Sequence, residues 1–208
     1  MTLLLIRHGE TALNVARVLQ PADTPLSARG IAQAEALAQR LASMKVRAIV
    51  SSDLPRALRT AEAIAAATGA RVETTPLLQE RDFGDWRGQP YDGMAADPLT
   101  MAEAPPNGES SAAFAERVAT AFALVAVRRA ALGEGADSAL AVVTHGLVIR
   151  MLLRAQVQLG AGVSPPMHLG NTGLSIVGAS PPHRVGLLNC TRHLQAAAGD
   201  DARALSGG

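Results

Sequence analysis

Cysteine is close to absent from this chain. Cys190 is the only one among 208 residues. An intrachain disulfide is therefore impossible, and CxxC or cysteine-rich zinc sites are excluded. That usage fits a reducing compartment. Aromatic residues make up 2% of the chain, and alanine is everywhere. The predicted core closes through small side chains on closely packed helices. Lysine is reduced to Lys45, and the other cations are arginines. Acidic and basic side chains nearly cancel, at a formal net charge of +1. This balance gives no support for nucleic acid or an anionic membrane as a partner. Long apolar runs are missing too. The most apolar stretch, 139–153, carries His145 and Arg150 and is too short to span a bilayer. No basic n-region or cleavage pattern opens the sequence, and no internal repeat is visible. The expectation is a cytoplasmic protein with no membrane or nucleic-acid partner; its oligomeric state is left open.

What is present alternates. Short apolar runs at 3–6, 48–50, 71–74, 140–143, 174–177 and 185–188 predict strands. Between them lie helical patterns. Ser27 is placed to cap a helix whose stripe is Ile31, Ala34, Ala38 and Leu41. A second helix begins near Asp53, with Pro55 in its first turn and Gly69 beyond its end. A third begins near Ser110 or Ser111 and offers Phe114, Val118, Phe122 and Val125, and a fourth follows His145. This alternation predicts an α/β fold, a three-layer α/β/α sandwich around a mainly parallel central sheet. One domain over 1–195 is expected, with a lid-like loop at about 86–108 and a flexible tail over 196–208.

Four stretches concentrate chemistry. In "LLLIRHGETALN" a buried strand ends on Arg7, His8 and Gly9. "ALAVVTHG" repeats the device with His145 and Gly146. Ligands of parallel α/β sheets bind beyond the carboxyl ends of the strands, so both histidines are expected at one sheet edge. Gly9 and Gly146 are expected to let backbone approach a bound anion. In "SSDLPRALRTAEAIA", Arg56 lies in a helix first turn, where a cation opposes the helix dipole at a cost of about 0.3–1 kcal/mol. A bound anion there reverses the sign. In "LLQERDFGDWRGQ", Glu80 precedes an aromatic, glycine-rich turn, a setting that raises a carboxyl's pKa and lets it donate a proton. His168, His183 and His193 read as structural.

The combination resembles the histidine phosphatase superfamily, in the branch holding cofactor-dependent phosphoglycerate mutases, fructose-2,6-bisphosphatases and α-ribazole phosphatases. "RHGET", "SSDLPRALRTA", "LLQERDFGDWRG" and "VVTHG" match its blocks in order and spacing, to about Leu194. The resemblance implies that His8 becomes phosphohistidine, that Arg7, Arg56 and His145 hold the phosphate, and that Glu80 protonates the leaving group. Asn14 matches a position near the phosphate. Pro21 departs from the glycine that relatives often carry there.

The implied chemistry is physically coherent. Neighbouring guanidinium groups keep a nucleophilic imidazole neutral and stabilise the transferring oxygens. No metal or other cofactor is called for, and two histidines without a nearby HExxH-type carboxylate make a poor zinc site. The expected function is metal-independent hydrolysis of a small phosphomonoester. The segment 88–116 has no Lys or Arg but carries Asp92, Asp97, Glu103, Glu109 and Glu116. A mostly neutral or apolar leaving group is therefore expected, with Arg81 and Arg87 at the threshold and Arg81 assigned to substrate. The alternatives are a phosphoglycerate mutase using the same site, a catalytically silent regulatory module, and a phosphoprotein phosphatase.

Overall fold

The computed structural model describes residues 2–92, 94, 97–133 and 138–195. All six expected strands form: β1 (Thr2–Arg7), β2 (Val46–Ser52), β3 (Arg71–Thr75), β4 (Ala139–Thr144), β5 (Leu174–Gly178) and β6 (Val185–Cys190). They make one sheet in the order β3-β2-β4-β1-β5-β6. The first four are mutually parallel, while β5 and β6 are antiparallel additions. The helices are α1 (Ala12–Val15), α2 (Ala28–Leu41), α3 (Pro55–Thr68), α4 (Ser111–Ala131) and α5 (Gly146–Ala155). Residues 196–208, expected as a tail, lie outside the described residues. Among the described residues, no helix is long and apolar enough to cross a membrane.

The period-2 side-chain alternation of strands sorts the core into two layers. Leu3 and Leu5 of β1 join Leu140 and Val142 of β4 against Val118, Val125 and Val148, beneath α4 and α5. Leu4 and Ile6 join Ala141 and Val143 against Leu37, Ala57, Ala61 and Ile64, beneath α2 and α3. Alanine supplies six of the fifteen buried residues of this second layer, and no aromatic is among them.

Local signals set the helix ends. Ser27 Oγ accepts from the Gly30 amide at 3.0 Å, and Ser110 Oγ from the Ala113 amide at 3.1 Å. Gly69 closes α3 in the left-handed region, at φ +72°. Two stripes turn out rotated. Ile31 is 36% exposed, whereas Gly30, Gln33 and Leu37 face inward. The cause is long-range: Gln33 Oε1 accepts the Glu10 amide at 2.9 Å, which fixes the rotation of α2 under the loop after β1. In α4, Ala121 takes the buried place, and Phe122 is half-buried, edge-on to His183 at 5.1 Å.

Strand register brings the site's parts level. Arg7 pairs with Thr144, Ser51 with Val143, and Ser52 with Thr75. The carboxyl ends of β1, β4, β2 and β3 therefore finish along one edge.

Gly9 and Gly30 touch there, backbone to backbone. A Cβ on Gly30 would collide with the Glu10 carbonyl, and one on Gly9 would collide with the Gly30 carbonyl. Gly30→Ala is expected to cost about 1–3 kcal/mol as overpacking. For a chain of this size that is a fall in Tm of roughly 2–12 °C. An unchanged Tm in thermal denaturation would show that the loop after β1 yields freely.

Candidate active site

His8 leaves β1 with its amide bonded to the Thr144 carbonyl at 3.0 Å. Its carbonyl accepts from the Thr172 amide and from Asn171 Nδ2, both at 3.2 Å. The ring is buried, with 1% exposure. Its Nδ1 stands 2.7 Å from the Gly9 carbonyl. A carbonyl can only accept, so Nδ1 carries the proton, and in the neutral ring Nε2 keeps the lone pair. Burial first, then the Arg56 and Arg7 guanidinium groups, hold His8 well below the ordinary imidazole value. These effects outweigh the Gly9 hydrogen bond, which acts the other way.

His145 faces His8, with ring centroids 5.1 Å apart. Its Nε2 lies 2.9 Å from Ser52 Oγ, and its Nδ1 has no hydrogen-bond partner among the described residues. Burial, then Arg56, lowers its pKa well below the ordinary value too.

The arginines are held by main-chain oxygens. Arg7 donates from Nη1 to the Leu169 carbonyl. Arg56 donates to the Pro21 and Ala22 carbonyls at 3.3 and 3.4 Å, so the loop at Pro21 serves as its anchor. Arg56 is 2% exposed, and its Nε finds no acceptor among the described residues. Burial pushes its pKa down to about 10. Asn14 receives the Thr11 amide and Asn171 Nδ2 on its Oδ1, and its buried Nδ2 has no partner among the described residues.

Glu80 stands opposite. Its Oε2 accepts the Leu147 amide at 3.1 Å, and its Oε1 accepts the Arg81 amide at 3.0 Å. Both bonds favour the carboxylate, as do Arg56 and Arg7. Burial is nevertheless the largest effect, and it raises the Glu80 pKa above the ordinary carboxylate value.

Three sequence expectations take a different form. The close approach that Gly9 permits is to Gly30, and its amide donates to Thr60 Oγ1 at 3.0 Å. The anion at the start of α5, just after Gly146, is the Glu80 carboxylate. Arg81, assigned to substrate, donates to the carbonyls of Pro98, Met101, Glu103 and Glu109. It lines the cleft over His8 but acts as a strap for the loop. Arg87, also placed at the threshold, does line that cleft, together with Gln20 and Tyr91. Sequence reasoning missed Ser52, Thr60, Tyr91 and Asn171. Only Tyr91, the single tyrosine, carried any signal in an acidic loop.

Two imidazoles with lowered pKa values, two buried guanidinium groups and a carboxyl with a raised pKa meet at one sheet edge of an α/β fold. The chain belongs to the histidine phosphatase superfamily, branch 1, whose family profile matches residues 3–189. A relative from Proteus mirabilis (strain HI4320), named probable phosphoglycerate mutase GpmB, is 34% identical over 189 residues, covering 83% of this chain and 82% of its own. Mycobacterial glucosyl-3-phosphoglycerate phosphatase, in its complex with VO3, superposes with a TM-score of 0.77 at 30% identity, over 91% of this chain and 99% of that one. Bacillus stearothermophilus YhfR gives a TM-score of 0.78 at 29% identity, over 93% and 99%. The chain is a histidine phosphatase by family and by its structural neighbours.

Because Arg56 and Arg7 both depress His8, its imidazole is expected to stay neutral across the neutral pH range. Arg56→Ala is expected to move the His8 pKa up towards the ordinary value. The same change removes a buried cation beside Arg7, so Tm is expected to hold or rise. Nitrogen chemical shifts followed through a pH titration check the first part, and thermal denaturation checks the second.

Proposed function

We propose that this enzyme hydrolyses a small phosphomonoester through a phosphohistidine on His8, without a metal ion. The observation that carries the reading is the Nδ1–Gly9 hydrogen bond, which leaves His8 Nε2 as an unprotonated nucleophile beside two guanidinium groups. Asn14 Nδ2, Arg56 Nε and His145 Nδ1, buried without partners among the described residues, are suited to phosphate oxygens. In the first step the Nε2 lone pair forms a bond to phosphorus as the ester P–O bond breaks. Glu80 gives its proton to the departing oxygen. In the second, water attacks phosphorus, Glu80 takes a proton from that water, and His8 is released with inorganic phosphate. Arg7 and Arg56 carry the charge stabilisation that a metal ion supplies elsewhere. His145 faces the same phosphoryl group from β4. Arg87 and Tyr91 line the cleft over His8, together with Gln20.

A phosphoglycerate mutase is the second reading, favoured by the relatives' names. It must hold a second anionic group close to the nucleophile and exclude water between transfers. The segment 88–116 has no Lys or Arg to offer close to the nucleophile. Phosphate release is therefore expected to exceed isomerisation of 3-phosphoglycerate in coupled assays, and activity is expected to survive EDTA. Mutase flux above phosphate release would reverse the order of the two readings.

Glu80 provides a sharper test. A protonated Glu80 is needed by an alkoxide leaving group and not by p-nitrophenolate. Glu80→Gln is expected to lower kcat/KM, which reports only the transfer to His8 and not the later attack of water, roughly 10²–10⁴-fold for an alkyl phosphate and far less for p-nitrophenyl phosphate. Equal losses would remove Glu80 from the proton-donor role. The wild-type pH profile follows from the same groups. Because the Glu80 pKa is raised, activity on alkyl phosphates is present below that raised value and is lost as pH rises through it. The acid limb, set by His8, is expected well below the ordinary imidazole value. Rapid quench with labelled substrate should trap an acid-labile adduct on His8.

A further inference from the structure

Beyond Arg81, on the side away from His8, the space opens into a cavity of about 310 Å³. It lies between α5, the start of α4 and the covering loop, with Leu99, Phe114, Leu147 and Met151 among its apolar walls. Its volume is that of a small-molecule site. Two cations belong to it: Arg150 and Arg154, one turn apart on α5. Arg154 is exposed, at the rim. Arg150 is 9% exposed. Its guanidinium reaches a single protein acceptor among the described residues, Met167 Sδ, at 4.0 Å. A thioether is a weak acceptor for a guanidinium. Glu80 and Asp97 exert an electrostatic pull on Arg150, but neither forms an ion pair with it, and Arg154 repels it. The rest of the guanidinium meets no protein acceptor among the described residues and is not sealed from the cavity that Arg150 lines, so it is open to an anion entering there.

The cavity also adjoins the leaving-group side of the reaction. Leu147, in its wall, is the residue whose amide holds Glu80. Arg81 lines both this cavity and the cleft over His8. The leaving oxygen must stand beside Glu80 to be protonated, so the rest of the leaving group continues towards one of these spaces. The cleft over His8 offers little room. We propose that the α5 cavity binds the far end of the substrate's leaving group, an anionic group on an apolar spacer, through Arg150 and Arg154. This rests on the phosphomonoesterase reading for the phosphoryl end. It amends the sequence expectation of a neutral leaving group: the loop above the site lacks cations, and α5 supplies them from beneath. An apolar spacer suits Leu99, Phe114, Leu147 and Met151, and a planar carboxylate suits the guanidinium fork.

The test compares ω-phosphooxyalkanoates with alkyl phosphates of matching length. Wild-type enzyme is expected to prefer the carboxylated member of each pair, most strongly at one spacer length. In Arg150→Met that preference, read as the ratio of the two kcat/KM values, is expected to fall roughly 10- to 100-fold, the range for a charge-assisted hydrogen bond. Arg154→Ala is expected to lower it less, because Arg154 is solvated. An unchanged ratio in both variants, or a wild-type enzyme indifferent to the carboxylate, would overturn the proposal. Octanoate alone, titrated calorimetrically, is expected to bind wild-type protein and not Arg150→Met. Failure of octanoate to bind wild-type protein that still hydrolyses alkyl phosphates would overturn the cavity assignment and leave the phosphatase reading intact. Octanoate binding in a protein that hydrolyses no phosphomonoester would do the reverse.

Discussion

Two guanidinium groups, those of Arg7 and Arg56, are buried beside each other at one sheet edge, and much of the surrounding structure answers to that constraint. Each charge taken out of water costs on the order of several kcal/mol unless it is compensated. The compensation comes from main-chain oxygens carried by irregular segments: the loop at Pro21 and Ala22 for Arg56, and Leu169 for Arg7. Glu80 adds the one carboxylate that acts on both. The depressed pKa of Arg56 shows that compensation is incomplete. An incompletely compensated pair of cations is a standing preference for a dianion such as a phosphoryl group. Burial and then the same field lower the pKa values of His8 and His145, so under the proposed function affinity for phosphate and nucleophilicity share a source.

Glu80 shows how closely the opposing effects are balanced. Two amide hydrogen bonds and two arginines favour its ionised form, yet burial prevails and raises its pKa. The sequence placed it before a turn and asked for a raised value. It did not reveal that the carboxylate sits at the start of α5 on the Leu147 amide. That bond ties the proposed proton donor to the helix that begins after His145. One segment therefore positions an imidazole at its N-cap, the carboxyl at its first turn, and two further arginines along its length.

Legibility in the sequence followed contact range. The strands were readable because apolar runs report burial residue by residue, and the caps at Ser27, Ser110 and Gly69 because they are closed by residues a few positions away. The stripes of α2 and α4 were readable only approximately. Gln33 faces inward because it meets Glu10, 23 residues earlier, and a polar residue on an apolar face gives no local sign of such a partner. Arg81 looked like a threshold residue for substrate. Its acceptors lie between 17 and 28 positions further on, in a loop whose path no periodicity encodes.

The sequence by itself determined the kinds of element, their order, and the candidate groups for chemistry: a histidine at each of two strand ends, an arginine in a helix first turn, an acid before a turn. Local patterns of hydrophobicity and turn chemistry suffice for that, because they depend on neighbours within a few residues. Tertiary structure alone decided which groups face each other and which are satisfied. It set the Nδ1 proton of His8, the contact of Gly9 with Gly30, the strap formed by Arg81, and the near-isolation of Arg150 over its cavity. Those outcomes depend on burial and on partners far away in the chain. The free energy of a polar group is fixed by what surrounds it in three dimensions, and a sequence names the group without naming its surroundings.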